Sequence, residues 1–579
     1  MHAIHTENYS VSEKYIFKEL IMKKLEKKLT ESEQKLFVEL MANTKMLSPE
    51  DVAYRQIKVF SENSNKSILI LIPSTTFVSK YEVKKALLKA GHRSDMPSCY
   101  WDLAYAEITK QTDNKVLLRY KPGFYGDVYL RINDKVIGDI KGDVPVLHPN
   151  AKKHLPVEEE KGTLKEWKEN VAINALYSSR IMLALCSGFS GFLLDSLGIE
   201  GGGFHLWGKS SMGKSSCGYI LASIAGEPNS IIILWSNTDK ALEEIAVVHN
   251  DATLILDESK LLDKDPILAA KTIQNRVYTI TGGKGKVRAA LFENKVAEWR
   301  LVVFSTGELS LAQHAEVGKI ERLDGENVRV IDVPADAGFE MGIFESLPEK
   351  VASSNELAHS IQKATSSYYG TAKLAFLNKL IASIQSDSLE LKDMLESEMD
   401  YFLDKNNVDR NSGIQVRIAK RFALTYAAGF LASKYGILPF KAKAIMNGIS
   451  KCYQDSINTP CSKEPTISEM LPQSIKDVLK SVQIVNLIEH EDYSGRDIKN
   501  DIAIICMAKG VEVIAIDKKF IHDYLNIKSR KNVLSKLTKM GVLLVDSQKE
   551  YSTVQLHHSS GISERRYCFV RNRLSSILK

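Results

Sequence analysis

The sequence predicts an α/β protein built on a parallel sheet with flanking helices, and three stretches predict it. Gly208-Lys209-Ser210-Ser211-Met212-Gly213-Lys214-Ser215 is a complete G-x-x-x-x-G-K-[ST] phosphate-binding loop. The apolar Phe204-His205-Leu206-Trp207 before it reads as a buried strand, and Ser215 to Ala222 after it opens a helix, which is the context the motif requires. Two further apolar runs, Thr253-Leu254-Ile255-Leu256 and Leu301-Val302-Val303-Phe304, end in polar residues, as buried strands of such a sheet do.

A chain of 579 residues is too long for one core, and about 150 residues per domain predicts three or four. Hydrophobic residues at 44% and charged residues at 26% exclude wholesale disorder. The longest apolar stretch, Ile181 to Ile199, carries Asp195 and follows Arg180, so no membrane span is expected. Met1 to Glu7 lacks a basic start followed by an apolar run, which predicts a cytosolic, cytoplasmic protein. The seven cysteines are scattered and form no C-x-x-C pair, so neither a disulfide framework nor a zinc site is expected. A net charge of +6 is mild, and its placement matters more than its size.

Residues 1–150 read as an α+β accessory domain. Apolar positions at helical spacing in Tyr15 to Met22 and Gln34 to Met41 predict two or more amphipathic helices. Ser67 to Pro73 reads as a buried strand and Tyr81 to Gly91 as a glycine-ended helix; strands follow between Lys115 and Val144, with turns at Gly123, Gly126 and Gly138. A Pro- and charge-rich linker, 149–162, leads to the core at 163–340. There, Lys165 to Leu197 is apolar at helical spacing and is expected to pack on the sheet.

The loop's chemistry follows from its residue types. Without a Cβ at Gly208 and Gly213 the backbone can wrap a phosphate chain, and N–H groups from Ser210, Ser211 and Met212 through the helix start at Ser216 supply donors. Lys214 would reach the β and γ phosphates of ATP, and Ser215 would ligate Mg²⁺. The next acidic signal, Asp257-Glu258, ends an apolar strand 43 positions after Lys214. Asp257 there can hold Mg²⁺ through water, and Glu258 can polarise the attacking water. Leu301 to Phe304 runs into Ser305-Thr306, either of which could sense the γ phosphate.

Between these strands, Val277-Tyr278-Thr279-Ile280-Thr281 alternates, and the sequence through Arg300 predicts a β-hairpin with Glu293-Asn294-Lys295 near its tip. Its basic residues, Lys284, Lys286, Arg288 and Lys295, suit a nucleic-acid backbone and equally a solvated face. Arg329 precedes the apolar strand Val330 to Val333, where a guanidinium could reach a neighbouring subunit's γ phosphate; Arg322 is the alternative, and each also fits an ordinary salt bridge. Residues 341–465 read as a helical lid in which Arg417 and Arg421, one turn apart, could contact nucleotide phosphates or simply pack. Residues 466–579 end in two helices, Asp517 to Leu525 and Lys528 to Gly541, then paired strands Val542 to Val545 and Arg566 to Val570 around a polar loop. That is a winged-helix pattern whose Lys528, Arg530, Lys531, Lys536 and Lys539 would meet DNA phosphates; such modules also dock proteins.

Gly201-Gly202-Gly203-Phe204-His205-Leu206-Trp207 with the loop resembles the signature of the helicase-like family called domain of unknown function 927. Trp235 with Thr238, Ala241-Leu242-Glu243, Leu256-Asp257-Glu258, Gly283 to Arg288, Trp299-Arg300, Ser305 to Glu308 and Val328-Arg329 fall in that family's order. The resemblance covers roughly residues 115–334, and a subset of the family is similar to the MCM-like replicative helicases of staphylococcal cassette mobile elements. It implies an AAA+ ring ATPase with a pre-sensor hairpin in its pore and a C-terminal winged helix. Ser305-Thr306 departs from the asparagine that MCM proteins use, and the resemblance is not expected to reach the first 110 residues. The function expected is an ATP-dependent DNA helicase or translocase, hexameric, replicating a mobile element. Its partners would be single-stranded or forked DNA, further copies of the chain and replication proteins, with no membrane. A nucleotide-switched origin-binding initiator and an ATP-driven protein remodeller are the alternatives.

Overall fold

The computed structural model describes residues 38–45, 52–133, 135–152, 158–257, 265–285, 297–322, 324–458, 467–481, 483–489, 498, 500–525, 527–546, 553–557 and 563–576. The chain is mixed α/β and divides into two compact units, Met1–Ile457 and Asn458–Lys579.

The first unit opens with β1 (Glu39–Lys45), β2 (Tyr54–Ser61), β3 (Lys66–Pro73) and β4 (Lys115–Arg119). A small antiparallel sheet of β5 (Gly123–Tyr125), β6 (Val128–Leu130) and β7 (Val136–Ile137) precedes β8 (Val144–Leu147), and the larger sheet has the order β3-β2-β1-β4-β8. Helices Lys80–Lys89 and Ser98–Ile108 bury Val83, Leu87, Tyr100 and Leu103 in a cluster with Ile57 and Val59 of that sheet. The helix expected over Gln34 to Met41 is a strand from Glu39 onward, paired antiparallel with β2. A register shift between Leu40 and Ala42 breaks the period-2 pattern that would have marked it as β. The end of the linker region is packed: Glu158 is buried between Arg131 and Lys373, and Lys161 bridges Tyr369.

The phosphate-loop sheet follows: β9 (Gly202–Trp207), β10 (Ile233–Leu234), β11 (Ala252–Asp257), β12 (Leu301–Gly307) and β13 (Val330–Pro334). All pairings are parallel and the spatial order is β10-β11-β12-β9-β13, so β9 lies between β12 and β13. Gly203 permits that packing, because a Cβ there would lie 1.7 Å from the Val303 carbonyl oxygen. The helix Ser179–Ser190 is buried at every residue against the phosphate-loop helix Lys214–Ser223 and the helix Gly413–Lys434. The segment Ser179–Leu197 is long and apolar enough to cross a membrane, but 89% of it is buried in this core. Helices Ser354–Ser367, Thr371–Lys405, Gly413–Lys434 and Ala442–Asn458 complete the unit.

Val277 to Thr281, expected as one arm of a hairpin, instead end the helix Pro266–Gly282. Ile273, Val277 and Ile280 stand at helical spacing and are buried with Trp235 and Trp299, so tertiary packing overrides the β-branched preference. Gly283, at φ +73°, ends the helix, and the strand pairing begins only at the bridge Lys284 to Glu298. The expected tip, with Lys286, Arg288 and Lys295, lies outside the described residues.

The second unit holds β14 (Val485–Asn486), β15 (Ala503–Ala508), β16 (Val511–Ile516), β17 (Leu543–Leu544), β18 (Val554–His557) and β19 (Ser563–Val570). The order is β14-β15-β16-β19-β17, with β18 also on β19. The two expected helices are Lys518–Tyr524 and Ile527–Lys539, the second burying Val533, Leu534 and Leu537. This sheet exceeds the expected two strands. The β15–β16 hairpin turns at Lys509-Gly510, both with positive φ, a K-G pair that reads weakly as a turn in sequence. Part of the loop expected between Ser547 and Glu564 is β18.

Candidate functional site

The C-terminal ends of β9, β11 and β12 converge on one cleft of 550 Å³, a volume typical of small-molecule sites (~300–1,000 Å³). It is lined by Ser210 to Ser216, Asp257, Thr306, Gly307 and Glu308, with the helix Ser354–Ser367 as a further wall. Gly213 caps the phosphate-loop helix at φ +89°, and a Cβ there would also press on Ile343 at 2.9 Å. Ser211 takes φ +63°, a left-handed conformation that costs a non-glycine residue energy and recurs at ligand-binding loops. Gly208 has its wall in Met212 and Ala335 rather than in the cleft.

Lys214 Nζ donates to the carbonyls of Gly208 (2.7 Å) and Lys209 (2.8 Å), curling over its own loop. Burial lowers its pKa, while Glu308 and Asp257 oppose that shift. Thr306 Oγ1 donates to Asp257 Oδ1 across the β11–β12 pair. Ser305 points the other way, its hydroxyl 2.6 Å from Nδ1 of buried His205, whose Nε2 lies 2.9 Å from the Leu309 carbonyl oxygen. Strand alternation therefore puts Thr306, and not Ser305, in the cleft. Glu258 lies outside the described residues.

Among the described residues no group of three or more His, Cys, Asp or Glu could hold a metal. The Ser215 and Asp257 oxygens share the cleft, and such a sparse hard-donor set suits Mg²⁺, which keeps water and substrate phosphates as its remaining ligands.

The arginines gather elsewhere. Arg329, Arg417, Lys420 and Arg421 line a second cavity of 690 Å³ with Glu200, Glu396 and Asp400. Its place in the sheet is fixed by hydrogen bonds: the Arg329 carbonyl accepts from Gly203 N (2.7 Å), and Arg421 donates to the carbonyls of Glu200 (2.5 Å) and Gly201 (2.8 Å). These are the N-terminal ends of β9 and β13, whereas the phosphate loop leaves the C-terminal end of β9, five residues or about 17 Å from Gly203. Arg417 thus does not line its own chain's phosphate-loop cleft. Its exposed side chain makes no hydrogen bond or ion pair with the described residues. Burial lowers the Arg421 pKa to about 10. Arg329 stacks over Tyr278, 5.0 Å from the ring centre, and bonds weakly to the Gly325 carbonyl at 3.3 Å. Arg322 is consumed by structure, in a buried pair with Asp332 and a 2.8 Å bond to the Val330 carbonyl.

Of the expected DNA contacts, Lys284 sits at the hairpin base in an ion pair with Glu298 (3.3 Å). Lys528, Arg530 and Lys531 fall on the helix Ile527–Lys539, where Arg530 is half-buried and the other two side chains are outside the described residues. The sequence reading missed Tyr219, Asn355, Ala358, His359 and Gln362, all lining the phosphate-loop cleft. Only the spacing 355, 358/359, 362 on one helical face could have found the last four.

The family described as Domain of unknown function (DUF927) matches residues 14–296. That stretch of the chain, just under half of it, is similar to the DUF927 family; it begins well before residue 115, where the sequence resemblance was expected to start, and stops short of 334. Among solved structures, "SCCmec type IV Cch - active helicase" is similar over 94% of this chain and 94% of its own, at 18% identity and a TM-score of 0.63, which shows a shared fold. The A form apo structure of the NrS-1 C terminal region covers 69% of this chain and 89% of its own, at 12% identity and a TM-score of only 0.24. No curated protein matches the chain.

Proposed function

We propose that this chain is an ATP-dependent DNA helicase or translocase that works as a ring, a hexamer, in replication of a mobile genetic element. The observation that carries the proposal is the single cleft joining Lys214 and Ser215 to Asp257 and Thr306 at the C-terminal ends of adjacent parallel strands. The strand order with β9 between β12 and β13 supports an AAA+ reading of residues 163–340, with 341–465 as its lid. The likeness in fold to a protein whose name includes "active helicase" supports the DNA reading, as do the basic residues at 284–295. The helix Ile527–Lys539 packed beside a sheet supports a winged helix within 466–579.

In this mechanism Lys214 leaves the Gly208 and Lys209 carbonyls for the β and γ phosphates, and the loop N–H groups hold the chain of phosphates. Ser215 and Asp257 would hold Mg²⁺, which would supply positive charge against the phosphates. Thr306 fixes the Asp257 carboxylate through its hydroxyl. Glu258 takes a proton from the water that attacks the γ phosphorus while the bond to the β–γ bridging oxygen breaks, leaving ADP and phosphate. Arg329 lies too far from its own chain's loop to assist, so it acts on a neighbouring subunit's γ phosphate, with Arg417 beside it. The hairpin and the second unit's basic helix hold DNA phosphates.

The test is ATP hydrolysis with and without single-stranded DNA, alongside unwinding of forked duplexes carrying a 3′ or a 5′ tail. Stimulation by DNA and unwinding of one fork are expected. Site-specific binding without unwinding would favour an initiator, and hydrolysis indifferent to DNA would favour a protein remodeller.

A further inference from the structure

The phosphate-loop cleft extends beyond the loop itself. Beyond Ser216 it runs along Tyr219 of the loop helix to the exposed face of Ser354–Ser367, where Asn355, His359 and Gln362 stand at one-turn spacing around the small Ala358. A second hollow of 490 Å³ shares Tyr219, His359 and Gln362 as lining. The opposite face of that helix buries Leu357, Ile361 and Thr365, so the polar stripe is held rigidly over the cleft. None of the side chains of Tyr219, Asn355, His359 and Gln362 makes a hydrogen bond with a described residue.

We infer that this face is a nucleobase subsite that selects adenine, with Gln362 reading the base edge and Tyr219 and His359 flanking its plane. The inference rests on the reading of the cleft as a nucleoside triphosphate site. Flat rings stack any base, so they supply affinity without choice. A carboxamide presents one donor beside one acceptor, which matches the N6 amino group and N7 of adenine. Guanine offers two acceptors, O6 and N7, on that edge and would leave the Gln362 carbonyl oxygen facing another acceptor.

Binding of MgATP, MgGTP and Mg-tripolyphosphate to the full chain tests this, using wild type, Gln362→Leu and His359→Ala, with melting temperature as a folding control. Wild type is expected to bind ATP at least about tenfold more tightly than GTP. Gln362→Leu should bring the two within about twofold, and His359→Ala should weaken both by about tenfold. Tripolyphosphate affinity should not move in either variant. Tripolyphosphate binding with no ATP preference, or a preference unmoved by Gln362→Leu, would overturn the subsite alone. Failure of all three to bind wild type would overturn it together with the triphosphate reading.

Discussion

The two cavities of the first unit sit at opposite ends of the same strands and differ in their charged residues, which the proposed function reads as opposite halves of a phosphoryl-transfer site. The cleft after β9 offers a glycine-bearing loop, one lysine and two carboxylates, Asp257 and Glu308. The cavity before β9 and β13 offers three arginines and a lysine but no phosphate loop. About 17 Å of β-strand separates them, more than an arginine side chain can span. On the proposed reading neither cavity holds a complete set among the described residues of one chain, and the two would become one site where two chains meet.

Substitutions can break that contrast. The largest effect is expected from Arg329→Ala, which should lower ATP hydrolysis by on the order of 10³-fold while leaving nucleotide affinity within a few-fold, measured by steady-state kinetics and equilibrium binding. Lys214→Ala should lower hydrolysis by about 10²–10³-fold and weaken binding as well. Arg322→Ala separates position from role: it strips Asp332 of a buried partner and should cost about 3 kcal/mol in denaturant unfolding, where Arg329→Ala costs little.

The same strand gives a finer contrast. Thr306→Val should reduce hydrolysis by about tenfold or more with little change in stability, because its hydroxyl meets Asp257. Ser305→Ala should do the reverse, costing about 1–3 kcal/mol by leaving Nδ1 of buried His205 without its partner while Nε2 keeps the Leu309 carbonyl. The smallest effect is on pH dependence. Burial lowers the pKa of His205 and brings His249 and His314 to about 4, against 6.5 when exposed. The folded form then binds fewer protons than the unfolded one, so stability is full above pH 6.5 and falls as the pH drops from 6.5 towards 4. Thermal unfolding across that range should show it.

The chemistry-bearing loop was legible because its glycines and lysine act locally, through backbone conformation and one side chain. Asp257 and Ser305-Thr306 were legible as strand ends, but choosing Thr306 over Ser305 needed the strand's orientation, which a fully buried strand does not reveal by alternation. Arg417 shows the limit of helical spacing: its face was readable, but the end of the sheet it meets is set by its helix neighbour Arg421, which bonds Gly201, 220 residues away. Val277 to Thr281 misled for the opposite reason, since β-branched residues served a helix whose partners, Trp235 and Trp299, are distant in sequence. Gly203 was visible as a glycine, yet its cause, the Val303 carbonyl oxygen, exists only after the strands pair.

If one site is assembled from two chains, mixing two inactive variants must restore what each lacks. Arg329→Ala keeps an intact phosphate loop, and Lys214→Ala keeps an intact arginine for its neighbour. ATP hydrolysis of equimolar mixtures, after exchange of subunits, is expected to rise well above either variant alone. A mixture that stays as inactive as its parents at every ratio, or an Arg329→Ala variant that hydrolyses ATP at the wild-type rate, would contradict a site shared between subunits.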